Sequence, residues 1–184
     1  HTAAGSGEVG FSGDGGPATE ATLYAPVDIS LGPDGTLYIL DSGNKRVRKV
    51  SPQGVITTIA GGGTLLSSAA DGGSALNAAL GFMDSLTYSP DGTIYFNDGD
   101  NIRRILLDGT IRTVASDPLS SLMVNQLRMS HDGSTLYISD GNQLGEILPD
   151  GSFYPISFQG YGGALALDAN DNLLVGSLDG RLFM

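Results

Sequence analysis

The segments Thr36-Leu-Tyr-Ile-Leu-Asp41, Thr93-Ile-Tyr-Phe-Asn-Asp98 and Thr135-Leu-Tyr-Ile-Ser-Asp140 are three copies of one pattern. Each follows an Asp-Gly turn, and a degenerate fourth copy, Asn172–Ser177, follows an Asn-Asp turn. The turns begin at Asp34, Asp91, Asp132 and Asn170, in steps of 57, 41 and 38 residues. Self-similarity at such periods is the signature of a repeat architecture. The chain is therefore predicted to contain about four copies of one structural unit.

Each unit divides into four short strands separated by tight turns. In the first unit the predicted strands are Val27–Leu31, Thr36–Leu40, Arg46–Val50 and Val55–Ile59. Turns this short join antiparallel neighbours. The four units are expected at about 25–60, 83–115, 124–157 and 163–184, with an N-terminal strand at 1–5.

The second strand of the unit is apolar on both faces. Because side chains alternate along a strand, Leu37 and Ile39 point one way, and Tyr38 and Leu40 point the other. A strand buried on both sides needs a sheet packed on both sides, which radially arranged sheets provide. The pattern predicts an all-β fold, a β-propeller of four-stranded antiparallel blades. A β-sandwich is the alternative.

The composition fits a turn-rich β protein and limits its partners. Of the 20 acidic residues, 17 are Asp; there are 28 Gly, no Cys and a net charge of −11. Asp and Gly favour turns. The negative charge argues against nucleic acid and anionic lipid as partners, since both require a cationic surface. No apolar run is long enough to span a membrane, and the start at His1 suggests a processed, excised or incompletely represented product.

Two further stretches carry a resemblance to a known family. The stretch from Ala4 to Pro26, which contains Gly13-Asp-Gly-Gly-Pro-Ala-Thr19, and the stretch Asp41-Ser-Gly-Asn-Lys-Arg-Val-Arg-Lys-Val50 closely resemble NHL-repeat propellers of the teneurin-like and bacterial surface type. The inter-blade loop recurs in degenerate form at Asp71–Leu80, with Asp71 placed 57 residues after Asp14. The resemblance implies recognition of a protein or carbohydrate at one mouth of the propeller, at an extracellular or cell-surface location. It also brings an alternative, because related propellers act as lactonases or lyases with a metal in the central channel.

The metal alternative requires oxygen ligands that converge on the channel. The first strands place Asp84 and Asn125 at equivalent positions, with Asp28 one step away. Three such ligands could hold a hard cation such as Ca²⁺. Solvated residues at the channel mouth are the plainer interpretation, so no cofactor is expected and Ca²⁺ is the alternative. The stretch Asp168–Asn172 with Asp179 has part of a calcium-loop spacing, but the repeat explains it as a turn.

The basic residues and the histidines have structural explanations. Lys45, Arg46, Arg48 and Lys49 are clustered, and Arg103-Arg104 lies at the equivalent place one unit later. A surface for an acidic partner is one interpretation. The favoured interpretation is pairing between blades, with guanidinium groups that donate to turn carboxylates such as Asp41 or Asp98. His131 takes a turn position, and neither it nor His1 has a nucleophile motif nearby, so no catalytic residue is predicted.

The ends of the chain suggest a divided blade. Thr2-Ala-Ala-Gly5 aligns with the end of an outer strand at Thr58-Ile-Ala-Gly61, whereas Arg181–Met184 aligns with a third strand. Thr2, Ala3 and Ala4 could therefore complete the blade that ends at Leu182, Phe183 and Met184. Such pairing closes one ring, or joins separate copies into a homo-oligomer or polymer; in the remaining alternative, the chain is a fragment of a larger, six-bladed ring. The function expected is a non-enzymatic binding or scaffolding module.

Overall fold

The computed structural model describes residues 1–116, 118–119, 124–157, 162–177 and 182–184. Its strands form four antiparallel sheets, each built from consecutive strands in the order of the chain. Three sheets have four strands, and the fourth has three. The prediction of an all-β propeller fold with about four blades in this chain is confirmed, and within the described residues helix is confined to short turns.

The strand bounds lie within one or two residues of those expected. Blade 1 contains β1 (Pro26–Leu31), β2 (Leu37–Asp41), β3 (Arg46–Val50) and β4 (Ile56–Gly61). Blade 2 contains β5 (Leu86–Tyr88), β6 (Ile94–Asp98), β7 (Asn101–Ile105) and β8 (Ile111–Ser116). Blade 3 contains β9 (Gln126–Met129), β10 (Leu136–Ser139), β11 (Leu144–Ile147) and β12 (Phe153–Ile156). Blade 4 contains β13 (Gly162–Leu167), β14 (Leu173–Ser177) and β15 (Leu182–Phe183).

The helical pieces belong to the connections. One α-helical turn, α1, spans Ser67–Ala70, and 3₁₀ turns span Ala18–Glu20, Ser42–Asn44 and Ala75–Asn77. No helix in the described part of the chain is long and apolar enough to cross a membrane.

Consecutive blades contact each other through their innermost strands: β1 contacts β5, β5 contacts β9, and β9 contacts β13. The shared face of blades 1 and 2 has the largest apolar core. Leu40 and Val47 of blade 1 and Phe96 of blade 2 are fully buried there. The insert between the blades adds Ala75 and Ala78, both fully buried. The long first repeat thus consists of a blade and an insert, and side chains of the insert fill the space between blades 1 and 2.

The segment at 1–5, expected to be a strand, is not one. Its end is held by the insert before blade 1, where the N–H groups of Gly5 and Ser6 donate to the carbonyls of Ala18 and Ala21 at 2.9 and 2.8 Å. Ala4 packs against the core of blade 1. Local backbone partners therefore hold this segment on the first blade.

Candidate functional site

The predicted channel residue Asp28 is engaged between two blades. Its Oδ2 accepts hydrogen bonds from Ser85 Oγ and from the N–H of Leu86, both at 2.9 Å. Its Oδ1 accepts from the N–H of Ile29 at 2.9 Å. The carboxylate therefore ties β1 to the start of β5.

Ser85 extends this connection to the third blade. Its Oγ accepts a hydrogen bond from the N–H of Leu127 at 3.1 Å while donating to Asp28. Asn97 Oδ1 fixes the backbone just before β5, because it accepts hydrogen bonds from the N–H groups of Asp84 and Ser85 at 2.8 and 2.9 Å. The innermost strands of three blades are thus joined by one chain of hydrogen bonds.

The other two predicted channel ligands differ from Asp28 in their surroundings. Asp84 is half-buried and contributes its backbone N–H to Asn97. Asn125 is exposed, and its Nδ2 donates to the carbonyl of Asp140 at 3.1 Å. Among the described residues, no group of three His, Cys, Asp or Glu side chains could hold a metal ion. Asp168 accepts from the N–H groups of Asn170 and Asn172, as a turn residue does, and Asp179 lies outside the described residues.

A buried ionic cluster forms where the basic residues were noted. Arg48 is completely buried, and its guanidinium donates to Asp14 at 2.8 Å and to Asp41 at 3.5 Å. Asp14 also accepts from Thr58 Oγ1 at 2.7 Å. The cluster recurs in blade 2, where the fully buried Arg103 contacts Asp71 at 2.9 Å and Asp98 at 3.1 Å.

These clusters fasten the inserts to the blades. Asp14 and Asp71 belong to the inserts, whereas Asp41 and Asp98 end the second strands. A bulge in the pairing of the third and fourth strands lies at each arginine, and bulges redirect side chains. The expected partners Asp41 and Asp98 are confirmed, but the expectation that these pairs connect different blades is wrong, because each arginine and its carboxylate lie on neighbouring strands of the same blade.

The role of the insert carboxylates was missed from the sequence. The available signal was the shared spacing, because Asp71 follows Asp14 by 57 residues and Arg103 follows Arg48 by 55. In blade 3, Gly145 stands at the position of the arginine, so the described residues of this blade form no equivalent cluster. A Cβ at Gly145 would overlap the ring of Phe153. An aromatic ring thus occupies, in blade 3, the space beside the third strand.

A groove lies between blades 1 and 2, away from the innermost strands. It has a volume of about 500 Å³. Its lining includes Tyr38, Lys49, Thr58, Ile59, Leu76 and Asp108. The ring of Tyr38 stacks on that of Tyr88 at 5.8 Å. Burial raises the pKa of Tyr38 above its usual value of 10.0. Like any tyrosine hydroxyl at neutral pH, it is protonated and can donate a hydrogen bond.

This groove offers the chemistry of recognition. It combines an aromatic ring, aliphatic side chains and one charge of each sign in an open cleft. Pockets with mainly apolar walls and a few polar groups are typical of binding sites. The sequence did not predict the groove, because its walls come from strands and turns of two blades and from the insert.

Comparison with known proteins supports the repeat assignment. Residues 7–70 match the Teneurin NHL domain. Teneurin-1 of Homo sapiens is 54% identical over 41 residues, which cover 22% of this chain and 2% of that protein. Teneurin-1 of Gallus gallus is 32% identical over 112 residues, which cover 58% of this chain and 4% of that protein. The chain therefore spans a small part of the length of these relatives.

Solved structures share the fold at low sequence identity. A catalytically inactive virginiamycin B lyase from Staphylococcus aureus, solved with quinupristin, superimposes with a TM-score of 0.64 at 18% identity, over 91% of this chain and 59% of that one. A gluconolactonase-family structure superimposes with a TM-score of 0.60 at 18% identity, over 81% of this chain and 56% of that one. The likeness to these two structures concerns the fold alone. The family match over residues 7–70 and the teneurin relatives show that this part of the chain is similar to teneurin NHL domains, and the repeated blades agree with that resemblance.

Proposed function

We propose that the chain is a non-enzymatic binding module of a secreted or cell-surface protein, and that it takes a protein or carbohydrate ligand in the groove between blades 1 and 2. The proposal rests on the difference between charged groups that are engaged within the fold and those that line the groove. Asp28, Arg48 and Arg103 hold blades and inserts together, while the groove presents Tyr38 and Lys49 on an open surface. The similarity to teneurins supports the cell-surface location.

The groove can be tested with a glycan array and with an immobilised panel of extracellular protein domains. We expect a subset of probes to bind, and Tyr38→Ala and Lys49→Glu to reduce that binding about tenfold or more, as hot-spot residues do. Tyr154→Ala is the matched control, since Tyr154 is half-exposed on blade 3, outside the groove. Binding that persists in both groove variants would place the ligand elsewhere.

The alternative function is a lactonase or lyase with a cation in the channel, held by Asp28, Asp84 and Asn125. The shared fold with lyase propellers is the observation that favours it. Metal analysis and thermal melting with and without EDTA separate the two functions. A bound ion, together with a melting temperature that EDTA lowers and that Asp84→Ala lowers to the same extent, would support the enzyme.

We also propose that copies of the chain associate by strand exchange at the divided blade. The strand β15 pairs with β14 through Leu182 and Phe183, and no fourth strand covers its other edge among the described residues. Exposed strand edges accept strands from other chains. Thr2, Ala3 and Ala4 of one copy would pair beside Leu182, Phe183 and Met184 of the next. Ala3→Pro would weaken this pairing by removing a backbone donor, which analytical ultracentrifugation would detect.

A further inference from the structure

The turn between β7 and β8 lines the groove between blades 1 and 2 with two side chains, those of Leu107 and Asp108. Leu107 is 82% exposed. Its side chain lies over Gly92, because a Cβ added at Gly92 would come within 2.6 Å of Leu107 Cδ2. The groove therefore presents a large apolar side chain to solvent, next to a carboxylate.

Blades 1 and 3 contain the same turn with proline in place of this leucine. In all three turns, the N–H of the fourth residue donates to the carbonyl of the first at 2.8 or 2.9 Å. The second residue is Pro52 in blade 1, Pro149 in blade 3 and Leu107 in blade 2. Proline is favoured there because its fixed φ suits the turn. Turn formation does not account for an exposed leucine, which indicates that Leu107 serves the groove.

The next junction shows that the groove is not a general result of blade packing. Between blades 2 and 3, Tyr95 and Pro149 take the positions of Tyr38 and Leu107. The space bounded there by the described residues is about 10 Å³, compared with about 500 Å³ in the groove. Tyr95 is only 8% exposed. The groove thus belongs to the junction of blades 1 and 2, and its volume lies in the range of small-ligand sites.

Asp108 brings a fixed negative charge to the groove. Its Oδ1 accepts hydrogen bonds from the N–H and Oγ1 of Thr110 at 2.9 and 2.7 Å. These bonds, with that from the backbone N–H as the larger cause, lower the pKa of Asp108 below its ordinary value of 3.8. The other oxygen, Oδ2, accepts no hydrogen bond from the described residues. An ionised oxygen is therefore available to a donor that enters the groove.

The surroundings of Asp108 are acidic. In each blade the turn between the first two strands and the turn between the third and fourth lie at the same end, as the register of blade 1 shows. Bonds between corresponding positions of neighbouring blades bring these ends together. The turns contain no Lys or Arg. Their aspartates are Asp34, Asp91, Asp108, Asp132, Asp150, Asp168 and Asp171. This end of the propeller therefore attracts cationic groups.

The groove lining combines both signs of charge with apolar groups. Lys49 is exposed on β3, opposite Tyr38 in the register of blade 1, and Asp108 supplies the negative charge. A protein segment can offer a basic, an apolar and an acidic side chain within a few residues. Natural glycans carry mostly neutral or acidic groups, which leave Asp108 without a partner cation. The lining therefore favours a protein ligand by charge complementarity.

We propose that the groove binds a protein segment that is rich in basic residues. A basic side chain of the segment donates to Asp108, an apolar side chain packs against Tyr38 and Leu107, and an acidic group pairs with Lys49. The proposal rests on the proposed binding function of the groove and selects protein over carbohydrate as its ligand.

The first experiment presents the full chain with an array of synthetic twelve-residue peptides, in which Arg, Phe and Glu are placed in varied order among Gly and Ser. We expect binding of a subset that contains all three residue types, weakened by added salt. Leu107→Pro should reduce the affinity about tenfold, as loss of a central contact does, and leave the denaturation midpoint unchanged or higher, because proline suits this turn. Leu66→Ala is the control, since Leu66 is 73% exposed outside the groove. Equal peptide affinity in Leu107→Pro and the wild type would overturn the proposal.

The second experiment tests the charge. Asp108→Asn keeps an acceptor for Thr110 and removes the negative charge, so peptides with Arg should bind about tenfold more weakly. Peptides with Gln in place of Arg should bind the variant and the wild type equally. Asp150→Asn is the matched control, because Asp150 holds the same turn position in blade 3, where it accepts from the N–H of Ser152 at 2.8 Å. Equal binding of Arg and Gln peptides by the wild type would overturn the proposal.

A glycan array probed in parallel separates this proposal from the broader binding function. Glycan binding that Tyr38→Ala abolishes, without binding of any peptide, would overturn the choice of a protein ligand and leave the groove as a binding site. Peptide binding that neither Tyr38→Ala nor Leu107→Pro weakens would contradict both.

Discussion

Ser85 Oγ donates to Asp28 Oδ2 at 2.9 Å, and this bond connects the innermost strands of blades 1 and 2. Because Ser85 also accepts from the N–H of Leu127 at 3.1 Å, one hydroxyl links blade 2 to both of its neighbours. A carboxylate predicted as a metal ligand therefore has a structural role in holding the blades together.

Removing this carboxylate should destabilise the propeller. Asp28→Ala leaves the N–H groups of Ile29 and Leu86 without their acceptor, at a cost of about 1–3 kcal/mol for the unmet buried group. Chemical denaturation measures the free energy of unfolding. Asp84→Ala is the matched control. Asp84 lies next to Ser85, but it bonds to Asn97 through its backbone N–H, which the substitution keeps. An equal loss in the two variants would contradict this role of Asp28.

Replacement of the buried Arg48 of blade 1 should destabilise the protein more than replacement of Asp28. Arg48→Met leaves Asp41, which is completely buried, without its cationic partner, and breaking a buried ion pair on one side costs about 3–5 kcal/mol. The expected result is a lower denaturation midpoint and earlier proteolysis of the insert at residues 6–25. Arg112→Met, at an exposed site on β8, should change stability little. A small effect at Arg48 would show that the cluster does not fasten the insert.

The two inserts provide a matched pair of leucines. Leu80 is 4% exposed between blades 1 and 2, whereas its counterpart Leu23 is only partly buried beside the open face of blade 1. We expect Leu80→Ala to lower the free energy of unfolding by about 2–4 kcal/mol through loss of apolar contacts and the cavity left behind. Leu23→Ala should cost clearly less, because Leu23 is only partly buried and loses fewer contacts. Chemical denaturation measures both losses, and equal losses would contradict this difference between the two inserts.

Acid should weaken the turn that precedes β10. Ser130 Oγ and the N–H of Ser134 donate to Asp132 at 2.7 and 2.9 Å. These bonds lower the pKa of Asp132 from 3.8 to about 2, with the side chains of Ser130 and Ser134 as the largest causes. A carboxyl with a lower pKa in the folded state stabilises the fold above its unfolded pKa, and this stabilisation is lost as the pH falls from 3.8 toward 2.

Carbon-detected NMR titration of the carboxyl groups tests this directly. Ser130→Ala should raise the pKa of Asp132 and leave the lowered pKa of Asp150 unchanged, because Asp150 is held by Ser152 in another turn. An unchanged pKa of Asp132 in this variant would show that Ser130 is not the group responsible.

The blades were predictable because their signals are local. Apolar alternation in the second strand and an Asp-Gly turn before it recur within each unit, and both depend on residues that are neighbours along the chain. The pairing of Arg48 with Asp41 was predictable for the same reason, since seven residues separate them across one hairpin. The predicted strand at 1–5 was wrong because a strand requires a partner edge. Ala18 and Ala21 supply backbone acceptors closer at hand.

The order of residues specifies a propeller of repeated four-stranded blades, since the repeat period and the apolar alternation of the strands can both be read from it. The role of Asp28, the place of the groove and the exposure of Ile29 become visible once the blades are packed together. Each of these depends on which blade stands beside which. Ile29 and Leu86 occupy the same position in the repeat, yet one is exposed and the other buried. Burial is a property of neighbours in space, and the pattern within one repeat does not contain it.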